Sequence, residues 1–279
     1  MSTLRSILLH LDASHRSPHR LVAACHLAAA HDAQVTALYA TTPSALAMPM
    51  AAANGVADLF AALQQLDADR RDDARLLFER TVSTGGYPVR WDELHFDSVV
   101  RGLTARALCT DLLVFGQFDP ADASAVGTPP DLIESVLIGS GKPALILPYV
   151  DTRPVIGQDV LIAWKATRES AHAVAAAMPL LERARRIHLA CDAAEETEGA
   201  AAGELEAYLR LQGVQAPITR RSSLPAASTG DALLSLAADV DADLIVMGCF
   251  GHSRAREFVL GGASRTVLRS MTVPVFMAH

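Results

Sequence analysis

The sequence repeats itself, and a chain that carries the same landmarks twice in the same order is constrained to fold as two similar halves. Residues 7–14, ILLHLDAS, return at 160–167 as VLIAWKAT, each a short apolar run breaking into a polar turn. DLLVFG at 111–116 returns as DLIVMG at 243–248, and the apolar run around Pro143 returns around Pro274. Ile7 and Val160 are 153 residues apart, whereas Asp111 and Asp243 are 132 apart and Pro143 and Pro274 are 131 apart. The first half therefore carries about 21 additional residues between its first strand and the strand opened by Asp111. Residues 41–55, rich in alanine, proline and methionine without periodicity, place that surplus in a loop or lid, followed by a long helix over 56–81. The segment 149–158, with Pro154 and Gly157 and preceded by Pro148, reads as the connection between two domains, 1–150 and 151–279. With 279 residues and 51% hydrophobic content, each half can bury a core of its own.

Within each half, short β-branched runs alternate with helical patterns, which is the mark of βα units and a parallel sheet. The expected fold class is α/β, two tandem doubly wound, Rossmann-like domains with five parallel strands each. Beyond the landmark runs, strands are expected at 34–40, 89–94, 187–191 and 215–219. Ser17 ahead of Pro18 predicts a capped helix start, with Leu21, Val22, Cys25 and Ala29 on one apolar face. Thr167 predicts a second capped helix with Ala171, Val174, Ala175 and Met178 on one side, which Pro179 should kink or shorten.

Composition excludes several functions. No run reaches the roughly 18 uncharged apolar residues of a membrane span. Residues 1–11 lack the small-residue cleavage site of a signal peptide, so the expected location is the cytoplasm. Cys25, Cys109, Cys191 and Cys249 are scattered singly, a pattern of reduced thiols rather than of disulfides or structural zinc. A net charge of -7 with no basic stripe argues against nucleic-acid and anionic-membrane partners.

The segment most informative about chemistry runs from Gly248 through Gly251, Gly261 and Gly262 to Ser264, directly after one apolar strand and directly before a helix. A glycine loop between a strand and a helix start is suited to phosphate, because glycine lets the backbone approach closely and free helix amides point at an anion. The spacing G-x2-G-x9-G, after Ala-Asp-Leu-Ile-Val-Met and before a helix ending in Thr272-Val273-Pro274-Val275, resembles the universal stress protein family, and the likeness runs over both halves. The resemblance implies that Met247, Gly248, Gly251 and His252, with Gly261, Gly262, Ala263 and Ser264, surround phosphate and ribose of ATP or another adenine nucleotide. It further implies adenosine against the first-strand turn at Ala163 and Lys165.

Two residues of the second half depart from the ATP-binding pattern: Gly262 stands where serine or threonine is usual, and Lys165 stands in place of the first-strand acid. The first half departs differently. It keeps Asp12 but has Asp119 at the second loop glycine, and Pro130 and Asp131 near the third, carboxylates that oppose a phosphate. Nucleotide is therefore expected in the second half and none in the first. In the family, single domains commonly pair through their terminal strands, which implies contact between the short apolar edges at 144–147 and 273–277, an intramolecular pseudo-dimer.

Other features read as structural. His15 and His19, four apart at a helix start, have the spacing for a metal but read as solvated, and no metal is expected. His252-Ser253 beside arginines lacks an acid placed to orient the histidine. Arg70-Arg71-Asp72-Asp73 and Glu195-Glu196 are exposed charge. The first-strand turns, Asp12-Ala13-Ser14-His15 and Lys165-Ala166-Thr167-Arg168, are neither a Walker loop nor a Ser-Gly-Gly loop, so catalysis is not expected. The expected function is a nucleotide-responsive stress or regulatory protein acting on an unknown protein partner, with a scaffold or apolar-ligand binder as the alternative, supported by the apolar insertion at 45–53.

Overall fold

Each repeat begins with a strand whose start is pinned by an aspartate from the fourth strand. The Asp111 carboxylate accepts the backbone N–H groups of Arg5 and Ser6, both at 2.9 Å, and the Ser6 hydroxyl at 3.0 Å. The Asp243 carboxylate likewise accepts the N–H groups of Gly157, at 2.8 Å, and Gln158, at 3.0 Å. These bonds satisfy amides just outside the ladder and set the register of the first strand against the fourth, which explains why an acid opens that landmark run twice. The computed structural model describes the chain apart from residues 1–3, 48–55, 95–97, 123, 125–126, 151–154, 192–195, 223–228 and 252–261.

The first repeat runs β1 (Ser6–Leu11), α1 (Ser17–His31), β2 (Gln34–Tyr39), α2 (Val56–Gly85), β3 (Val89–Glu93), α3 (Val99–Ala107), β4 (Leu112–Gly116), α4 (Leu132–Ser140) and β5 (Ala144–Leu147). The second runs β6 (Asp159–Ala163), α5 (Arg168–Leu181), β7 (Arg186–Cys191), α6 (Glu196–Leu211), β8 (Ile218–Ser222), α7 (Thr229–Asp239), β9 (Leu244–Gly248), α8 (Ala263–Ser270) and β10 (Val275–Ala278). The fold is α/β, two tandem doubly wound repeats of five strands each. Their buried strands read as near-continuous apolar runs, as strands covered on both faces do.

The chain divides into two compact units. One, Arg5–Ser140, holds a parallel sheet in the order β3-β2-β1-β4. The other contains Leu4 and Gly141–His279 and holds the order β8-β7-β6-β9-β10-β5. Strand β5, the last strand of the first repeat, thus lies in the second unit, where it pairs antiparallel with β10 through Ile146↔Val275, Leu145↔Phe276 and Ala144↔Met277. All four residues of β5 and all four of β10 are buried, so each apolar edge covers the other.

Several local expectations need correction. The chain enters α1 at Ser17, but that hydroxyl caps nothing; it donates to Asp12. The buried face of α1 is Ser17, Arg20, Leu21, Ala24, Cys25, Leu27 and Ala28, while Val22 is half-buried and Ala29 exposed. Thr167 does cap α5, accepting the Ser170 N–H at 3.4 Å, but Ala171 and Ala175 face solvent and the buried side runs through Ala173, Val174, Ala177 and Met178. Pro179 falls in the last turn of α5, which ends two residues later. The strand expected at 215–219 forms instead at Ile218–Ser222, because Gly213, at φ +97°, and Pro217 hold the preceding residues in a turn.

Candidate functional site

In both repeats the first-strand turn lies beside the glycine that ends the fourth strand, since β1 pairs β4 and β6 pairs β9. What fills the space between them differs.

In the first repeat it is an ion pair. Asp12, just past β1, is buried, and Arg20, three residues into the buried face of α1, pairs with its Oδ1. The Ser14 N–H and the Ser17 hydroxyl each donate to the same oxygen at 3.0 Å, and the Thr128 hydroxyl donates to Oδ2 at 3.2 Å. Arg20 Nη2 also donates to the hydroxyls of Ser14, at 3.0 Å, and Ser17, at 2.6 Å. Burial opposes ionisation of Asp12, but the neighbouring guanidinium, the nearby His10 and the bonds from Arg20 and Ser14 outweigh it, holding the carboxyl well below its ordinary range. Arg20 lies directly over Gly116: a side-chain carbon on that glycine would fall 2.4 Å from Nη1. The acid that the resemblance sets near a base and ribose is thus fully committed within the chain. Asp119 closes a local turn, accepting the Ala121 N–H at 2.9 Å, and Asp131 is exposed and accepts the Ser135 hydroxyl at 3.1 Å.

In the second repeat the fourth-strand glycine packs against backbone. Ala163 is half-buried at the end of β6 and in register with Met247, which is buried on β9. Lys165 is exposed in the turn, its carbonyl accepting the Thr167 N–H at 2.6 Å. A carbon on Gly248 would lie 2.5 Å from both the Glu169 carbonyl carbon and the Ser170 nitrogen, so only glycine lets β9 meet the first turn of α5 this closely. Gly251 is exposed, and a carbon there would lie 2.8 Å from Glu169 Oε2. Phe250 bridges the two glycines at φ +57°, a left-handed conformation that a non-glycine residue rarely takes.

Gly262 precedes the first residue of α8 and its carbonyl accepts the N–H groups of Arg265 and Thr266; Ala263 is half-buried and Ser264 buried. His252 and Gly261 lie outside the described residues. The structure thus brings Ala163 beside Met247, and Gly248 and Gly251 against α5. Sequence reasoning missed Arg20 in the first repeat and Glu169 in the second. Arg20 was detectable as a lone cation on an otherwise apolar helix face near an acid, whereas Glu169 looked like any first-turn carboxylate.

Among the described residues, no helix is long and apolar enough to cross a membrane, and no group of three or more His, Cys, Asp or Glu side chains could hold a metal.

Residues 158–279 match the model of the Universal stress protein family. The crystal structure of a universal stress protein from Archaeoglobus fulgidus DSM 4304 superposes with a TM-score of 0.73 at 15% identity, covering 99% of this chain and 96% of that one. A functionally unknown protein from Pseudomonas aeruginosa PAO1 gives a TM-score of 0.58 at 18% identity, covering 99% and 92%. No curated protein matches the sequence. At these identities the two structures speak for the fold across both repeats, and the likeness to the Universal stress protein family model is confined to the second, residues 158–279.

Proposed function

We propose that the chain is a cytoplasmic, nucleotide-responsive stress or regulatory protein that binds ATP or a related adenine nucleotide, one per chain, in its second repeat. Catalysis has no dedicated residues in this reading; the nucleotide acts by changing how the chain meets a regulatory protein partner, with neither nucleic acid nor membrane involved. The single observation that carries it is the approach of Gly248 to the first turn of α5, which leaves no room for a side chain and sets a glycine loop at a helix start. The proposed contacts are Ala163 and Lys165 in the turn, Met247, Gly248 and Gly251 in the loop, and Gly262, Ala263 and Ser264 at α8, together with His252 and Gly261. The first repeat takes no nucleotide in this reading, because Arg20 fills the space over Gly116 and consumes Asp12. The domain assignment, 1–150 and 151–279, follows the covalent repeats, with β5 and β10 forming the internal pair.

A scaffold or apolar-ligand role is the second reading, favoured by one observation: Leu59, Phe60 and Leu66 are exposed on α2. Titration calorimetry with ATP separates the two. One site per chain, abolished by Gly251→Asp, is expected for the nucleotide reading, since the new carboxylate meets both the phosphate and Glu169. Two equivalent sites, or unchanged binding in that variant, would overturn it.

A further inference from the structure

The second repeat carries its own anion at the glycine loop. Glu169 is the second residue of α5 and is buried despite its charge. Its backbone forms the wall against Gly248, and its side chain turns over Gly251, so that Oε2 lies 2.8 Å from where a carbon on that glycine would be. The other oxygen, Oε1, pairs with the Arg168 guanidinium at 3.0 Å. Its own backbone N–H first of all, and then Arg168, hold the carboxyl below its ordinary pKa against the opposing effect of burial, so it is ionised at neutral pH. The Arg168 side chain is 81% exposed and that of Glu169 10%, so solvent screens the cation more than the carboxylate.

From this placement we infer that Glu169 is a charge-selecting residue of the loop: it disfavours adenine ligands in proportion to their phosphate charge, so that the second repeat prefers a nucleoside or monophosphate to a free triphosphate. The inference rests on reading this repeat as an adenine-nucleotide site and names which members of that class it takes. A like charge beside Gly251 repels each added phosphate, whereas an uncharged ribose and base are indifferent to it. The glycines supply close backbone approach, and Glu169 decides how much negative charge can use it.

The test is calorimetry of the full chain with adenosine, AMP and ATP, with chelator present so that no divalent cation masks the phosphates. Glu169→Gln keeps size and removes charge. It is expected to tighten ATP by at least about tenfold and AMP by less, and to leave adenosine within about twofold. Glu169→Asp keeps the charge but withdraws it by one methylene, and should fall between wild type and Glu169→Gln; it carries the test if the melting curve shows that Gln disturbs the helix start. Equal changes for all three ligands, or no change for ATP while wild-type chain binds adenosine, would overturn the inference and leave the site assignment standing. Failure of wild type and both variants to bind any of the three would overturn the site assignment and the inference with it.

Discussion

Arg20→Met tests what holds the first unit together. The pair it breaks is buried on both sides, with side chains 6% and 3% exposed for Arg20 and Asp12. Removing one member of a buried pair leaves the other charged in a poor solvent, at a typical cost of about 3–5 kcal/mol. Asp12 keeps the Ser14 N–H and the Ser17 and Thr128 hydroxyls, which puts the expectation at the lower end, about 3 kcal/mol. With a urea slope of about 2 kcal/mol per molar, the midpoint should fall by about 1.5 M. Trp91, which stacks on Tyr39 at 5.8 Å, reports this unit once Trp164→Phe has silenced the other tryptophan. The double variant Asp12→Asn with Arg20→Met removes both charges and should recover most of the loss. The folded pKa of Asp12 lies below the unfolded value of about 3.9, so its stabilisation is full above that pH and lost as pH falls through it toward the folded value. In Arg20→Met burial is no longer offset by the guanidinium, so the carboxyl shifts upward and the deficit should be smaller at pH 4 than at pH 7. A loss below about 1 kcal/mol, or a double variant as damaged as the single, would refute the reasoning.

Val275→Asp places a charge on a fully buried residue paired to both β9 and β5, and should cost about 4 kcal/mol or more in a Trp164-reported melt; a loss within about 1 kcal/mol would count against the strand pairing. Lys165→Asp restores an acid to the first-strand turn and should tighten ATP relative to inorganic triphosphate by about fivefold, the worth of one hydrogen bond, whereas equal changes for the two ligands would remove Lys165 from adenosine recognition. His188 is buried, neither ring nitrogen has a hydrogen-bond partner among the described residues, and burial, then Arg221 and Arg186, lower its pKa against the opposing pull of Asp159. Its folded form refuses a proton that the unfolded chain accepts, so the second unit should lose stability as pH falls below about 6.5, and His188→Phe should flatten that slope; an unchanged slope assigns the effect elsewhere.

The repeat and most of its strands were legible because each strand is a compact apolar run bounded by a turn, and because Asp111 and Asp243 open equivalent runs. The edge pairing was legible for a related reason, since Ala144–Leu147 and Val275–Ala278 are too apolar to face water. The first-strand turns were not. Asp12 read only as the retained first-strand acid, because nothing in local spacing says that Arg20, one turn into a helix, swings back over Gly116. Glu169 was hidden for a different reason: a first-turn glutamate usually serves the helix dipole from the surface, and only the close approach of Gly248 and Gly251 turns it inward. The ends of β8 slipped because Pro217 sits where periodicity alone would start the strand.

Strands β5 and β10 belong to a single polypeptide, with a connection of about ten residues joining β5 to the start of β6, and this makes the partnership unimolecular. Two separate chains joined by such a pair would part on dilution, whereas a short tether holds its ends at an effective concentration on the order of millimolar. The β5–β10 pair should therefore persist at any expression level. A lesion in β5 harms the unit that depends on β10 within the same molecule, and supplying intact second repeats in excess must compete against that tether to repair it.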